Sequence, residues 1–358
     1  MESKFISYKS KYFPRGVIGI VSGQEVHPCV VGENYVDDMY DLVEDWDAIA
    51  PSLRRGKPSE LVASVHIQAP FVGRDVIGIA KNFRDHPKDG EPAPQPPTFP
   101  MFFTKRATSI IPTGAEIYHH LNVTKEIDYE GEVGIIIGKG GFGIPKEEAW
   151  KHIWGATIVN DISARDRQRD HKQFYIGKSL DTFCPMGPFA VHRSALDWDN
   201  LLLETRVNGE VRQHSKTNDL IFDIPTLVET CSMGTTLQPG DVIATGTPAG
   251  IGSSFKPPVF LKPGDIVEVS VTNLGTLRNP ISARDAPPPA CNPVRVKKTP
   301  LLSPANAKEH AVPYRYTPTV LKRGFGFGKS SLTLPVVFGW GLLACVLHIV
   351  VKSTHNPR

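Results

Sequence analysis

Two glutamates separated by one residue carry the clearest chemical signal in the chain. Glu130 and Glu132 stand at the start of the apolar run Val133–Ile137. Residues two apart on a strand project to the same face, so both carboxylates should point to one place. Such a pair repels unless a cation lies between its members, and hard oxygen ligands favour Mg²⁺, Mn²⁺ or Ca²⁺ over zinc. The alternative interpretation is a solvent-facing acidic pair, which the spacing alone also permits.

A third carboxylate follows another apolar run. Asp161 comes directly after Ala156–Asn160, which has the composition of a buried strand. Ligands are commonly held where strands open into loops, so Asp161 is a candidate third metal ligand. Its side chain could instead cap the turn that follows. The segment by itself is compatible with both uses.

Five motifs in chain order resemble the fumarylacetoacetate hydrolase superfamily. They are Glu130–Glu132, Asn160–Gln168, Gly177–Thr182, Gly246–Gly252 and Phe260–Val269. The resemblance covers about residues 78–281, and the order of the motifs is more specific than any one of them. Its compact members include acylpyruvate hydrolases, oxaloacetate decarboxylases and oxaloacetate tautomerases. It implies a β-rich α+β fold, with a mixed β-sandwich or roll core and a small N-terminal domain.

The resemblance implies a role for each matching residue. The ligands of an octahedral Mg²⁺ site, completed by water and substrate oxygens, are Glu130, Glu132 and Asp161. Lys178 stabilises the substrate carboxylate or the developing enolate. The positions near the substrate are Arg165, Gln168 and Thr247. Lys105 matches a family lysine with a less defined role. Two further carboxylates are expected to brace Arg165 and the Lys178 loop, namely Asp166 and Asp181.

A second catalytic group is implied by the segment Asn82–His86, which resembles the family's lid. His86 is the expected general acid or base, because a histidine near neutral pKa suits proton transfer. The family usually has a glutamate three residues later, where this chain has Asp89. Pro87 is compatible with the first turn of a lid helix but not with its interior. The implied dyad is therefore His86–Asp89, and the alternative is an exposed loop histidine.

The expected chemistry is cleavage of a carbon–carbon bond in a small β-diketo acid, such as an acylpyruvate or fumarylacetoacetate. A β-dicarbonyl acid can chelate one Mg²⁺ through two oxygens, and cleavage leaves an enolate that a cation stabilises. The same enolate serves decarboxylation or keto–enol tautomerisation of oxaloacetate, which is the alternative function. A further alternative is a membrane-tethered, catalytically weak scaffold. The altered lid favours that scaffold, whereas the intact ligand set opposes it.

The elements that must position these residues are mostly short strands. Turn signals such as Asn208-Gly209 and Pro263-Gly264-Asp265 separate the β-prone runs, which indicates a β-rich α+β core. Four regions are predicted: a small N-terminal domain at 1–70, a catalytic domain at 71–285, a proline-rich basic linker at 286–330 and an apolar tail at 331–352.

Composition narrows the class of protein. The formal net charge of +3 is too small to indicate nucleic-acid binding. The five cysteines are scattered without C-x-x-C spacing, which predicts neither a disulfide framework nor a zinc site and favours a reducing compartment. Cys184 is expected to be a packed small residue rather than a nucleophile.

The apolar segment Leu332–Val351 is long enough to cross a bilayer as a helix, and basic residues flank it. It predicts a membrane anchor with the catalytic domain in the cytosol; the alternatives are a docking helix or a functionless extension. No secretory signal is visible in Met1–Arg15, so an intracellular location is expected. The family resemblance further implies a homodimer.

Overall fold

A computed structural model describes residues 2–84 and 95–284. These residues form a strand-rich structure with few and short helices, so the prediction of a β-rich α+β fold is confirmed. Within these two ranges no helix is long and apolar enough to span a bilayer. His86, Asp89, the 286–330 linker and the 331–352 tail lie outside the described residues.

The N-terminal part contains seven short strands and two short helices. The strands are β1 (Lys4–Lys9), β2 (Val17–Ser22), β3 (Glu25–Val31), β4 (Asn34–Tyr35), β5 (Leu53–Arg55), β6 (Glu60–Leu61) and β7 (His66–Gln68). The helices are α1 (Met39–Glu44) and α2 (Trp46–Ile49). Asp38 begins α1 as its N-cap, because its side chain accepts a hydrogen bond of 2.8 Å from the backbone N–H of Tyr40.

The middle of the chain supplies most of the candidate site. Its strands are β8 (Val76–Ala80), β9 (Met101–Lys105), β10 (Ile110–Ile111), β11 (Ile127–Asp128), β12 (Gly131–Ile137), β13 (Ile153–Asn160), β14 (Ser163–Ala164) and β15 (Cys184–His192). Its helices are α3 (Ala149–His152), α4 (Arg165–His171) and α5 (Phe174–Lys178). Every residue of β12 and β13 is buried, which explains why both are nearly continuous apolar runs rather than alternating ones.

The last part adds five strands and one longer helix. They are β16 (Leu202–Val207), β17 (Glu210–Lys216), α6 (Ile224–Ser232), β18 (Val242–Ala244), β19 (Ile266–Val271) and β20 (Gly275–Pro280). Asn208 and Gly209 both have positive φ (52° and 83°) and join β16 to β17, as the Asn-Gly signal predicted. Asp223 caps α6 by accepting a hydrogen bond from the backbone N–H of Thr226.

The main sheet runs through the order β4-β3-β2-β1-β15-β13-β12-β18-β8-β9. The N-terminal strands continue it because β1 pairs with β15. A second sheet, β17-β16-β19-β20, packs against β12 and β13 through Val133, Ile158 and Val269. Leu227 of helix α6 and Ile135 of β12 belong to one hydrophobic cluster. The middle strands are thus enclosed by other elements, and they carry the site residues at one end.

Candidate metal centre

The pairing of β12 with β13 brings the three predicted ligands together. Gly131 lies opposite Asn160 in the antiparallel register, and one residue further the backbone N–H of Asp161 donates to the carbonyl of Glu130 at 2.8 Å. Glu130, Glu132 and Asp161 are all buried, and one carboxylate oxygen from each lies within 4.8 Å of the others. The solvent-facing interpretation of the glutamate pair is therefore wrong.

The glycine between the two glutamates is required by packing. A Cβ on Gly131 would lie 2.2 Å from Thr205 Oγ1 and 3.0 Å from Val269 Cγ1. The first contact is far too short and the second is tight, so the second sheet can approach β12 this closely only at a glycine. Gly131 thus allows the sheets to meet while both carboxylates point to the other face.

Three buried or nearly buried cations surround the carboxylates. Lys178, at the end of α5, places Nζ 2.7 Å from Glu130 Oε2 and also contacts Asp161. Lys105, at the end of β9, is fully buried with Nζ 2.5 Å from Asp161 Oδ1. Arg165, at the start of α4, places Nη2 2.7 Å from Glu130 Oε1. Lys105 therefore has a definite place in the centre: it holds Asp161.

Glu132 differs from its neighbours. Its Oε2 accepts a hydrogen bond of 2.8 Å from the backbone N–H of Gly246, whereas its buried Oε1 has no hydrogen-bond partner among the described residues. Burial raises the pKa of Glu132 well above its usual range, and the nearby Asp161 and Glu130 charges raise it further. A buried oxygen without a partner is costly, and a cation between the three carboxylates would satisfy it.

Glu130 has the opposite electrostatics. Burial alone would raise its pKa, but the charges of Lys178 and Arg165 outweigh burial and hold the pKa at about 2. Burial would likewise lower the pKa of Lys178, yet Asp161 and Glu130 raise it above its ordinary value. The centre therefore keeps Glu130 ionised and Lys178 protonated. A ligand set of carboxylate oxygens alone suits Mg²⁺, Mn²⁺ or Ca²⁺, so these residues fit the predicted ion.

The three residues predicted near the substrate all lie beside this centre. The Nη1 of Arg165 donates to Gln168 Oε1 at 3.3 Å, so these two side chains form one unit on α4. The hydroxyl of Thr247 donates to the carbonyl of Gly131 at 3.0 Å and accepts from Gln213 Nε2 at 2.7 Å. Their contact with a substrate stays a prediction.

Three further residues of the centre were missed in the sequence. Gln213 of β17 accepts from the backbone N–H of Gly131 at 3.0 Å, and Asn160 accepts from the backbone N–H of Glu130 at 3.2 Å. Asp128 is fully buried and ion-paired with Arg165. The alternation D-x-E-x-E could have indicated Asp128, because it places this carboxylate at the same spacing as the two glutamates. Nothing in the local sequence indicates Gln213.

The expectation that Asp166 braces Arg165 is wrong. Asp166 accepts from Thr124 Oγ1 at 2.6 Å and from the backbone N–H of Lys125 at 3.0 Å, while Asp128 pairs with Arg165. Adjacent residues on a helix do not face each other, so Asp166 cannot easily reach its neighbour. For Asp181, the contact seen is a backbone one, with its carbonyl 2.9 Å from His120 Nε2.

Two further buried residues near the centre were discussed from the sequence, namely Cys184 and Asn82 at the start of the lid segment. Cys184 is buried without a disulfide, and burial raises the pKa of its thiol to about 12, which agrees with a packed residue rather than a nucleophile. Asn82 is also buried. Its Nδ2 donates to the carbonyl of Thr245 at 2.8 Å, and its Oδ1 accepts from the backbone N–H of Phe222 at 2.8 Å. The start of the predicted lid segment is therefore fixed beside the G-T-P loop.

Comparisons with known proteins agree with this arrangement. The oxaloacetate tautomerase YisK of Bacillus subtilis (strain 168) is 44% identical over 264 residues, covering 73% of this chain and 87% of that protein. The fumarylacetoacetate hydrolase structure from psychrophilic Exiguobacterium antarcticum has 36% identity and a TM-score of 0.69, covering 79% of this chain and 100% of that one. The 5-carboxymethyl-2-hydroxymuconate delta-isomerase structure from Mycobacterium smegmatis has 33% identity and a TM-score of 0.63. The match covers 78% of this chain and 98% of that one.

The family model described as the fumarylacetoacetate (FAA) hydrolase C-terminal region matches residues 75–282. That range contains the three carboxylates and the three cations of the centre. Both the match and the curated relative extend over more than half of the chain. This chain therefore belongs to the fumarylacetoacetate hydrolase family.

Proposed function

We propose that the chain is a Mg²⁺-dependent tautomerase that interconverts the keto and enol forms of a small β-dicarbonyl acid of the oxaloacetate class. The observation that carries the proposal is the buried carboxylate triad. Within the described residues Glu132 Oε1 has no hydrogen-bond partner, and Lys178 lies beside the triad. The 44% identity to a protein named oxaloacetate tautomerase supports this choice of reaction.

In this proposal the three carboxylates bind the metal, and Lys178 stabilises the charge of the enolate. Glu130, Glu132 and Asp161 would hold Mg²⁺, which when bound supplies a Lewis acid for the substrate oxygens. Lys178 has three N–H donors, of which Glu130 and Asp161 take two. The third can donate to a substrate oxygen on which enolate charge develops. Because it already donates to Glu130 and Asp161, Lys178 is assigned as a fixed cation and not as a base.

Tautomerisation also requires a group that removes a proton from carbon and returns one to oxygen. We assign this transfer to His86 and its orientation to Asp89, on the strength of the family resemblance of the segment beginning at Asn82. Both residues lie outside the described part of the chain. The hydrogen bonds of Asn82 support the assignment, since they fix the start of that segment next to the G-T-P loop.

Carbon–carbon bond hydrolysis, which the sequence first suggested, is the second candidate. It needs the same enolate stabilisation and in addition a water molecule directed at the carbonyl carbon. The 36% identity to a structure named fumarylacetoacetate hydrolase favours it, but the more similar curated relative is named a tautomerase. Oxaloacetate decarboxylation shares the enolate and is distinguished by its product. The catalytically weak scaffold is disfavoured, because the carboxylates and lysines converge in one buried centre.

The proposal is tested by product analysis with the full-length chain, Mg²⁺ and oxaloacetate. We expect faster relaxation of the enol's ultraviolet absorbance, with the mass of the acid unchanged. Formation of pyruvate would instead identify a decarboxylase, and acetate with oxalate would identify hydrolysis. An acylpyruvate and fumarylacetoacetate, tested in parallel, check the hydrolase directly. Lys178→Met, which keeps the length of the side chain but removes its charge, should abolish the activity.

A further inference from the structure

Asp128 is a buried carboxylate at the edge of the centre, and its hydrogen-bonding capacity is filled entirely by the protein. Its Oδ1 accepts from the backbone N–H groups of Tyr129 at 3.0 Å and Gly252 at 2.7 Å. Its Oδ2 accepts from the backbone N–H of Ser253 at 3.0 Å and from Arg165 Nε at 2.9 Å. The side chain is fully buried, so these four donors replace its hydration.

Gly252, the last glycine of the G-T-P-x-G-I-G motif, packs closely against this carboxylate. A Cβ on Gly252 would lie 2.7 Å from Asp128 Oδ1 and 2.1 Å from the carbonyl of Val259. Only glycine therefore lets the loop bring two consecutive backbone N–H groups to Asp128. The motif and the carboxylate form one structural unit.

Arg165 connects Asp128 to Glu130, which is one of the proposed metal ligands. A guanidinium is planar, and its five N–H donors have fixed relative directions. Once Nε is bonded to Asp128, the direction of Nη2 is set, and Nη2 lies 2.7 Å from Glu130 Oε1. The remaining nitrogen, Nη1, contacts Gln168 at 3.3 Å. Nε and Nη1 of Arg165 thus have hydrogen-bond partners within the protein, and Nη2 is ion-paired with Glu130.

We propose that Asp128 is a positioning residue that acts through Arg165 to fix the carboxylate of Glu130 for metal binding. This inference rests on the metal site of the proposed function but not on the reaction. It assigns Arg165 to the orientation of a ligand, in place of the direct substrate contact that the family resemblance implies. Carboxylates behind metal ligands commonly act in this way, and their loss costs about 10–100-fold in metal affinity.

The test is the affinity of the full chain for Mn²⁺ alone, measured by isothermal titration calorimetry. In Asp128→Asn an amide NH₂ must face two donors in either of its orientations, and the charge that is ion-paired with Arg165 is lost, so the hold on the guanidinium weakens. We expect the Mn²⁺ dissociation constant to rise about 10–100-fold. Asp166→Asn is the matched control: its carboxylate lies on the same helix as Arg165 but binds Thr124 and backbone N–H groups. Its dissociation constant should match that of the native chain.

A double-mutant cycle separates positioning from general structural damage. If Asp128 acts through Arg165, Asp128→Asn should have little further effect on Mn²⁺ binding in an Arg165→Ala background. An equal loss in both backgrounds, or a lowered melting temperature with unchanged Mn²⁺ affinity, would overturn the proposal. Should Asp128→Asn not fold, Arg165→Met takes its place, because methionine has no N–H donor for Asp128 or Glu130; native Mn²⁺ affinity in that variant overturns the proposal.

The outcome is independent of the proposed reaction. A native chain that binds Mn²⁺ but does not tautomerise oxaloacetate contradicts only the proposed function, and the comparison of variants still decides the role of Asp128. A native chain that binds no divalent ion contradicts both.

Discussion

At the scale of single residues, the two glutamates show what spacing can and cannot predict. Their separation of one residue correctly placed Glu130 and Glu132 on one face. It did not predict that Glu130 is held by Lys178 and Arg165 while one oxygen of Glu132 has no hydrogen-bond partner in the part of the chain that the structure describes. The difference arises because the partners come from α4 and α5, whose positions follow from packing and not from the local sequence.

Replacing Glu132 by glutamine should separate metal binding from stability. Among residues 2–84 and 95–284, Glu130 and Asp161 form ion pairs with lysine or arginine and Glu132 forms none. Glu132→Gln therefore removes a buried charge without an ion pair, so the metal-free variant should melt at or above the native temperature. It should also lose the stabilisation that Mg²⁺ gives the native chain, because one ligand charge is gone. Thermal unfolding with and without excess Mg²⁺ measures both effects. An undiminished Mg²⁺ shift in the variant would contradict the metal site.

At the scale of elements, the sequence predicted which segments carry the site but not how they meet. Apolar runs indicated β12 and β13, and turn residues indicated the β16–β17 hairpin. The approach of the second sheet, which brings Thr205 and Gln213 to Gly131, depends on contacts between residues 74 and 82 positions apart in the chain. Local patterns contain no information about such contacts. The glycines inside the motifs are the main sequence feature that reflects these long-range contacts.

Gly177 allows a test of this element packing. A Cβ there would lie 2.6 Å from Gln168 Cγ and 2.7 Å from the carbonyl of Ala164, so Gly177→Ala must push α5 away from α4. Lys178 is the next residue and should move with the helix. We expect a loss of stability of about 1–3 kcal/mol in urea unfolding, together with a lower kcat. Gly234→Ala is the control, because a Cβ at Gly234 meets no atom within 4 Å. Native kcat in Gly177→Ala would contradict the expected movement of Lys178.

At the scale of the whole molecule, the N-terminal residues and the catalytic region share one sheet. β1 pairs with β15, and Trp46 of α2 stacks on His192 at the end of β15 with ring centroids 4.6 Å apart. Trp154 contacts the same histidine at 5.5 Å. A boundary near residue 70 stays a proposal, as do the homodimer and the membrane anchor at Leu332–Val351. The contacts at His192 connect the two regions and contain a titratable group.

This contact should make stability depend on pH. Burial lowers the pKa of His192 to about 4, and the charge of Arg193 adds to the effect while Asp47 opposes it. In the unfolded chain a histidine titrates near 6.5. Between these values the unfolded state binds a proton that the folded state does not, so the free energy of unfolding falls as the pH drops from about 6.5 to about 4.

Urea unfolding at pH 7.5 and pH 5 measures the effect in the native chain and in His192→Gln. The variant cannot bind the proton, so its free energy of unfolding should fall less between the two pH values than that of the native chain. Other groups also titrate in this range, but they contribute equally to both proteins and cancel in the comparison. His66→Gln removes an exposed histidine of β7 and should retain the native pH dependence. Equal losses in the native chain and His192→Gln would show that protonation at this junction does not oppose folding.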